Sequence, residues 1–301
     1  MITVLGSINL DLIGKVSRIP QPGETVAGTE FSSAAGGKGA NQALAGRRAG
    51  SNVRMVGAAG KDSMGDQALA LLKAGGVDLK AVRRLDVPQG VAMIFVDGQG
   101  ENVIGILPGA NGGVTPDDAE IAVTGMMDTD VLIVQQEIPQ AATMRALALA
   151  QLNGVTSILN TAPFLPTTQA VAGTASIVVA NETEFVLLCG GETGDLDTAM
   201  SNWARSRRQT IIVTLGPDGA QAATADGLFT VPALKVKPVD TVGAGDTFVG
   251  YLAAGLEAGL DLEASMRRAA VAASLACLKA GAQPAIPLAA GVDAALSSGS
   301  R

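Results

Sequence analysis

Asp240-Thr-Val-Gly-Ala-Gly-Asp246-Thr-Phe runs directly into an alanine- and leucine-rich stretch that predicts a helix over 245–258. Gly243, Ala244 and Gly245 carry little or no side chain, so the backbone there can bend sharply and lie close to a ligand. The helix that follows opens with N–H groups that lack internal partners and carry partial positive charge. That combination suits phosphate. Asp246 falls in the first turn, either as a plain N-terminal cap or as a carboxylate that accepts a proton from an alcohol. The second role gains from an absence: the chain has no histidine. Every Ser-His-Asp or Cys-His triad, histidine general base and histidine-containing metal site is thereby excluded.

Ala35-Gly-Gly-Lys-Gly-Ala-Asn41-Gln-Ala is a second glycine-rich helix entry. Gly36, Gly37 and Gly39 permit a tight loop, Asn41 projects from the first helical turn, and Lys38 either faces an anion or solvates the loop. The segment is not a Walker A loop, because Gly39 follows Lys38 where Ser or Thr is needed and Ser32 stands at the leading glycine. No GxGxxG follows a strand, which counts against dinucleotide binding. Taken alone, the segment is also what a tight strand-to-helix turn requires. A third segment, Gly6-Ser-Ile-Asn9-Leu-Asp11, follows the first apolar run. Asn9 and Asp11 are two apart and point the same way on extended backbone. An amide and a carboxylate so placed clamp polyol hydroxyls, or form an Asx-turn that ends the strand.

These residues need a scaffold, and the rest of the sequence describes one. Continuous β-branched runs at Ile2–Leu5, Val53–Val56, Val131–Gln135, Val155–Leu159, Ile177–Ala180 and Ile211–Thr214 suit strands buried on both faces. Helical stretches lie between many of them, at Lys38–Ala49, Ser63–Ala74, Gln140–Leu152 and Asp195–Arg205, and two more end the chain, at Gly245–Ala258 and Leu262–Lys279. Alternation of this kind predicts an α/β fold with a parallel central sheet flanked by helices. Two segments break the rhythm. Leu12–Ser33 has strand-like pieces around Pro20, Pro22 and Gly23, and Gly90–Leu107 reads as a hairpin, VAMIFV and NVIGIL, turning at Asp97-Gly98-Gln99-Gly100. Together they predict a small antiparallel sheet, residues 12–33 and 90–107, inserted in a main domain of 1–11, 34–89 and 108–301. It is either a β lid or a decorative hairpin. A small sheet outside the core has a face and edges that a ligand or partner must cover.

Of the 301 residues, 48% are hydrophobic and 16% charged, with net charge −7. The hydrophobic share is ample for a core, and the acidic balance disfavours nucleic acid or an anionic membrane as partner. Cys189 and Cys277 are the only thiols, too few for a disulfide framework or a four-cysteine zinc site, and they fit a reducing compartment. The MITVLGSINLD start has no basic n-region or long apolar h-region. The uncharged stretch 146–181 is interrupted by Asn153, Gly154, Pro163, Pro166 and Gly173, short of a membrane span. The expectation is a soluble cytoplasmic protein with a frayed 297–301 tail.

With these residues in view the chain resembles the PfkB carbohydrate kinase family, also called the ribokinase family. GSINLD, PGETV at 22–26, GGKGANQA at 36–43, GVAMIFVDGQGENVIGI at 90–106, GAN at 109–111, NETE at 181–184, TLGPDG at 214–219, DTVGAGDTF and GAQP at 281–284 match in order over nearly the full chain. The long 90–106 match points to the ribose-phosphorylating members. The resemblance implies an ATP-dependent kinase that phosphorylates the primary hydroxyl of D-ribose to ribose 5-phosphate. Kinases of the same family acting on another sugar or a nucleoside, and a non-catalytic sensor, are the alternatives; the 3% aromatic content leaves little for base stacking. In the sugar site it implies Asn9, Asp11, Gly37, Lys38, Gly39, Asn41 and Glu137. Asp246 would be the base and Gly243, Ala244 and Gly245 the anion hole for the transferring phosphate. Asn181 and Glu184 would organise Mg²⁺ through water, and Thr214, Gly216, Gly219 and Gly245 would line the nucleotide site. Asp240, Val242, Ala276, Lys279, Gly281 and Ala285 match positions that bind a monovalent cation such as K⁺, Ala285 standing where the family often has a hydroxyl. Asn160-Thr161-Ala162-Pro163 departs from the family's Asn-Pro-Ala-Pro, with a local backbone effect expected. A homodimer formed through the lid completes the implied picture.

Overall fold

The computed structural model describes residues 1–298. Its strands are β1 (Ile2–Leu5), β2 (Asn9–Val16), β3 (Gly28–Gly36), β4 (Val53–Gly60), β5 (Asp78–Leu85), β6 (Val91–Val96) and β7 (Asn102–Leu107). They continue with β8 (Val131–Val134), β9 (Thr156–Asn160), β10 (Ile177–Asn181), β11 (Thr210–Thr214), β12 (Ala220–Thr224) and β13 (Gly227–Val231). The helices are α1 (Lys38–Arg48), α2 (Ser63–Ala74), α3 (Pro116–Val123), α4 (Gln140–Leu152), α5 (Thr168–Ala172) and α6 (Glu182–Leu188). After them come α7 (Leu196–Arg207), α8 (Ala244–Glu257), α9 (Leu262–Ala276), α10 (Ala282–Ala285) and α11 (Ala289–Ser298).

Nine strands form one sheet in the order β13-β12-β11-β10-β9-β8-β1-β4-β5. The ladders from β11 to β5 are parallel, and β12 and β13 add an antiparallel edge. All six expected apolar runs became strands of this sheet. Because side chains alternate along a strand, continuous apolar sequence feeds two cores. Ile2, Val4, Ile133, Ile158, Val179 and Ile212 face the layer that includes α1, α8 and α9, whereas Leu5, Leu132, Val134, Leu159, Val178 and Ile211 face the layer of α3, α4 and α7. α9 stops at Ala276, three residues before the expected end, and two further helices, α10 and α11, follow where none was expected, with Ser297 and Ser298 closing α11; the rest of the 297–301 tail lies outside the described residues. No helix among the described residues is long and apolar enough to cross a membrane.

The second sheet has four strands in the order β3-β2-β6-β7. Its outer ladders, β2–β3 and β6–β7, are antiparallel as the turn signals require, while β2 and β6 in the middle run parallel. β2 already begins at Asn9, so Asn9 and Asp11 lie on a strand of this small sheet.

Candidate active site

The strand order reverses beside β1. The chain steps from β1 to β4 and β5 on one side, then returns to β8 on the other and continues to β9, β10 and β11. In open α/β sheets such a switch point leaves a crevice beyond the carboxyl ends of the strands. The segment after β1, the β3–α1 loop, the residues after β8 and the start of α8 meet there.

Gly243, with φ of 76°, is the N-cap of α8. A Cβ at this position would sit 2.8 Å from the Ala282 Cβ, so the turn requires glycine on both conformational and steric grounds. Thr247 N–H starts the helical ladder on the Gly243 carbonyl at 2.8 Å, and Ala244 N–H donates to Thr241 at 3.2 Å. The Gly245 and Asp246 amides precede the ladder and aim out of the helix start. Asp246 is not the cap. Its carboxylate is buried, 6% exposed, and held by α1: Asn41 Nδ2 donates to Oδ2 at 2.8 Å and Gln42 Nε2 to Oδ1 at 2.9 Å. Two charge-assisted bonds from a neighbouring helix fix both oxygens.

The glycines of the β3–α1 loop are needed because two backbones touch. A Cβ on Gly37 would lie 2.6 Å from the Asn9 nitrogen, and one on Gly39 would lie 2.6 Å from the Ser7 nitrogen. Ala40 N–H donates to the Ser7 carbonyl at 2.9 Å. A Cβ on Gly36 would strike the Asp11 carboxylate. The loop therefore serves more than a tight turn: it presses α1 against the segment that carries Asn9 and Asp11.

Asn9 makes no Asx-turn. Its Oδ1 accepts from Asn111 Nδ2 at 2.7 Å, and Asn111 also brackets Ile8, accepting from its N–H at 2.9 Å and donating to its carbonyl at 3.1 Å. Burial pushes the Asp11 carboxyl up to about 6, with the Glu137 and Asp246 carboxylates adding to the effect. Glu137 Oε2 accepts from Ser7 Oγ at 2.6 Å and from Lys38 N–H at 3.1 Å. Burial works against the Lys38 charge, but Asp246, Glu137 and Glu184 outweigh it and hold the ammonium above the usual lysine range. Asp11, Lys38, Glu137 and Asp246 thus share one electrostatic field, with one cation among several carboxylates.

Asn181 and Glu184 form a capping box at the start of α6, each side chain bonding the other's backbone N–H, at 2.8 and 3.1 Å. Thr161 Oγ1 donates to Glu184 Oε2 at 2.7 Å, so the departure at residue 161 reaches the NETE segment rather than staying local. No group of three or more acidic, cysteine or histidine side chains among the described residues is arranged to hold a metal ion. The donor set fits a Mg²⁺ bound chiefly by phosphate and water, as that ion prefers. Thr214 ends β11, and Gly216 and Gly219 take φ of 54° and 107° in the turn that follows. The 240 and 281 loops are clipped together by Asp240, which accepts from Val242 N–H at 3.0 Å and Gly281 N–H at 2.8 Å. The Ala276 carbonyl accepts from Lys279 N–H at 3.3 Å, and buried Ala285 adds no hydroxyl to this region. Sequence motifs gave no role to Gln42, Gln135, Asn111 or Ser7, although Ser7, Gln42 and Asn111 sit inside flagged segments and Gln135 ends an apolar run.

A pfkB family carbohydrate kinase model matches residues 1–289. The chain belongs to that family. It is a ribokinase-family sugar kinase, a phosphotransferase with an alcohol group as acceptor. It is 35% identical over 286 residues to a ribokinase of Bacillus subtilis, covering 95% of this chain and 96% of that protein. It is 36% identical over 292 residues to a bifunctional ribokinase/ribose-5-phosphate isomerase A of Fructilactobacillus sanfranciscensis, where 95% of this chain spans 54% of the longer protein. A deoxyribokinase of Salmonella typhi is 33% identical over 291 residues, 95% of each chain. Among solved structures, ribokinase from Thermotoga maritima superposes with a TM-score of 0.90 at 30% identity, over 98% of this chain and 99% of that one. Arabidopsis thaliana ribokinase complexed with ribose and ATP gives 0.88 at 30% identity, over 98% of both. A Burkholderia thailandensis nucleoside kinase in complex with inosine gives 0.84 at 25% identity, over 99% and 97%.

Proposed function

We propose that this kinase transfers the γ-phosphoryl group of ATP to the primary hydroxyl of D-ribose, giving ribose 5-phosphate and ADP. The observation that carries the reading is the Asp246 carboxylate, buried beside the glycine turn of α8 and gripped at both oxygens by α1. Ribokinase relatives spanning nearly the whole chain support ribose as the acceptor. Asn9, Asp11, Asn41, Glu137 and the backbone of Gly37–Gly39 hold the sugar hydroxyls. Asp246 takes the proton of O5 as O5 bonds to the γ-phosphorus, and the bond from that phosphorus to the β,γ-bridging oxygen breaks toward ADP. Such transfer needs positioning and charge neutralisation more than covalent help. The Gly243–Gly245 backbone and the dipole of α8 stabilise charge on the γ-oxygens, and Thr214, Gly216 and Gly219 line the nucleotide. Asn181 and Glu184 would hold Mg²⁺ through water, and the ion would supply further neutralisation of the phosphates. The 240 and 281 loops, with Ala276, Lys279 and Ala285, would hold a monovalent cation, which would supply a fixed positive charge.

The small sheet of β2, β3, β6 and β7, which extends the expected 12–33 segment to Asn9 and Gly36, acts as a lid that excludes water, because ATP hydrolysis competes with transfer. Phe31 is 72% exposed, Val103 51% and Ile104 53%. A patch of this kind on a small sheet calls for cover, and a second copy of the chain in a homodimer provides it. The two lone cysteines, Cys189 and Cys277, fit a reducing compartment and support a cytoplasmic enzyme. The deoxyribokinase and nucleoside kinase similarities favour a second reading, in which 2-deoxyribose or a nucleoside is the acceptor. A coupled assay of ADP release across D-ribose, 2-deoxyribose and inosine, with and without K⁺, separates these readings. D-ribose should give the highest kcat/KM; no sugar-dependent turnover would leave a sensor. Asp246→Asn should retain folding and ATP binding while turnover falls roughly 10²–10⁴-fold, as for loss of a general base. Near wild-type turnover in that variant excludes Asp246 as the base.

A further inference from the structure

Behind Asp246 lies a chain of side-chain amides, Gln42, Gln135 and Asn160, to which no motif gave a role. Gln42 and Gln135 are both fully buried. Gln135 Nε2 donates to Gln42 Oε1 at 2.6 Å. Gln42 Nε2 then donates to Asp246 Oδ1 at 2.9 Å and to Asn160 Oδ1 at 3.1 Å. Asn160 Nδ2 points the other way, to the Val179 carbonyl at 3.4 Å, so its oxygen is the atom turned toward Gln42. An amide has two donors on nitrogen and an acceptor on oxygen, and here its direction is determined. Rotating the Gln42 amide by half a turn would set its oxygen against a carboxylate and an amide oxygen, and its NH₂ against the Gln135 NH₂. One end of the chain is locked by packing. Gly6, at the end of β1, has no Cβ, and one placed there would collide with Gln135 Oε1 and lie 2.9 Å from the Gly39 Cα.

Stability does not ask for this arrangement. Replacing hydrogen-bonded partners in a core by apolar groups of similar shape is close to neutral, whereas buried polar groups that lose a partner are costly. Gln135 even carries an unpartnered buried oxygen. The chain ends on a carboxylate whose direction matters for proton transfer. Asn41 holds only Oδ2; without a second donor the carboxylate is free to rotate about that one bond. We propose that Gln42 is a positioning residue for Asp246, and that Gln135, given room by Gly6, sets the orientation of Gln42. This rests on Asp246 as the base. The relay ties the base on α8 to the ends of β1 and β8, the two strands that flank the switch point.

The test is a double-mutant cycle on the full-length enzyme with D-ribose and ATP. Gln42→Met keeps length and bulk and removes both donors and the acceptor. In the wild-type background kcat should fall by about 10–100-fold, the scale of a small misplacement of a reacting group, with KM for both substrates within about twofold. In the Asp246→Asn background the same substitution should change kcat by less than about twofold, because the group it orients is gone. An equal fractional loss in both backgrounds, or a rise in KM at unchanged kcat, overturns the proposal. If Gln42→Met does not fold, Gln135→Met, one link farther out, runs the same cycle with a smaller expected loss of about 3–10-fold. An Asp246→Asn enzyme that turns over normally defeats the base reading itself, and the relay with it. An inactive Asp246→Asn with additive Gln42 losses defeats the relay alone.

Discussion

Replacing Asp11 by asparagine should make the ligand-free protein more stable while weakening its hold on the sugar. Burial, then the Glu137 and Asp246 carboxylates, raise this carboxyl from its ordinary 3.8 to about 6. A group that binds its proton more tightly in the folded than in the unfolded chain loses stability when that proton leaves. The loss is absent below pH about 4, grows as pH rises through the window up to about 6, and is complete above it. A shift of about two pH units corresponds to roughly 3 kcal/mol. Asparagine has the same shape and no charge to lose. Urea unfolding at pH 8 should therefore show Asp11→Asn more stable by about 2–3 kcal/mol, a rise in Tm of roughly 4–12 °C. The gap should close as pH is lowered toward 4.5. At the same time KM for D-ribose should rise by about 10–100-fold, the scale of a lost hydrogen bond to a charged group. A variant no more stable than wild type at pH 8, or a stability gap that ignores pH, would refute the reasoning.

Two further outcomes follow from the geometry. Gly39→Ala sets a methyl 2.6 Å from the Ser7 nitrogen and 2.7 Å from the Gly6 carbonyl carbon. Both neighbours are backbone and cannot swing aside, so the variant should lose about 1–3 kcal/mol in urea unfolding and bind sugar poorly; wild-type stability would show that the two loops part easily. Ile104→Lys, on the exposed rim of the small sheet, should turn a dimer into a monomer by light scattering at unchanged fold, and a wild-type monomer would dismiss the dimer.

Much of this architecture was legible because it rests on local signals. The apolar runs at Ile2–Leu5 and Ile211–Thr214 are continuous because both faces of those strands are buried, and the glycines at 36–39 and 243–245 mark real backbone constraints. What escaped was non-local or weakly patterned. β2 and β6 pair in parallel across the chain from Asp11 to Ala92, and no turn signal reports such a pairing. β5 is an edge strand carrying Lys80, Arg83 and Arg84, and β12 is alanine-rich, so neither stood out as an apolar β-branched run. Gln42 lies in a flagged helix entry and Gln135 at the end of an apolar run, yet nothing in either segment shows that these amides, 93 residues apart, bond each other in the core. A neutral side chain advertises neither its burial nor its partner, and the direction of an amide exists only once its neighbours are placed.

Only Gly6, Ser7 and Ile8 separate β1 from β2, and β2 carries Asp11 as its third residue. On the proposed reading, the cover over the cleft and the carboxylate that grips the guest are one mechanical part. On that reading a contact made far out on the rim bears on the grip through the backbone of the sheet, like a handle on its own jaw, with no string of intermediate side chains to carry the message.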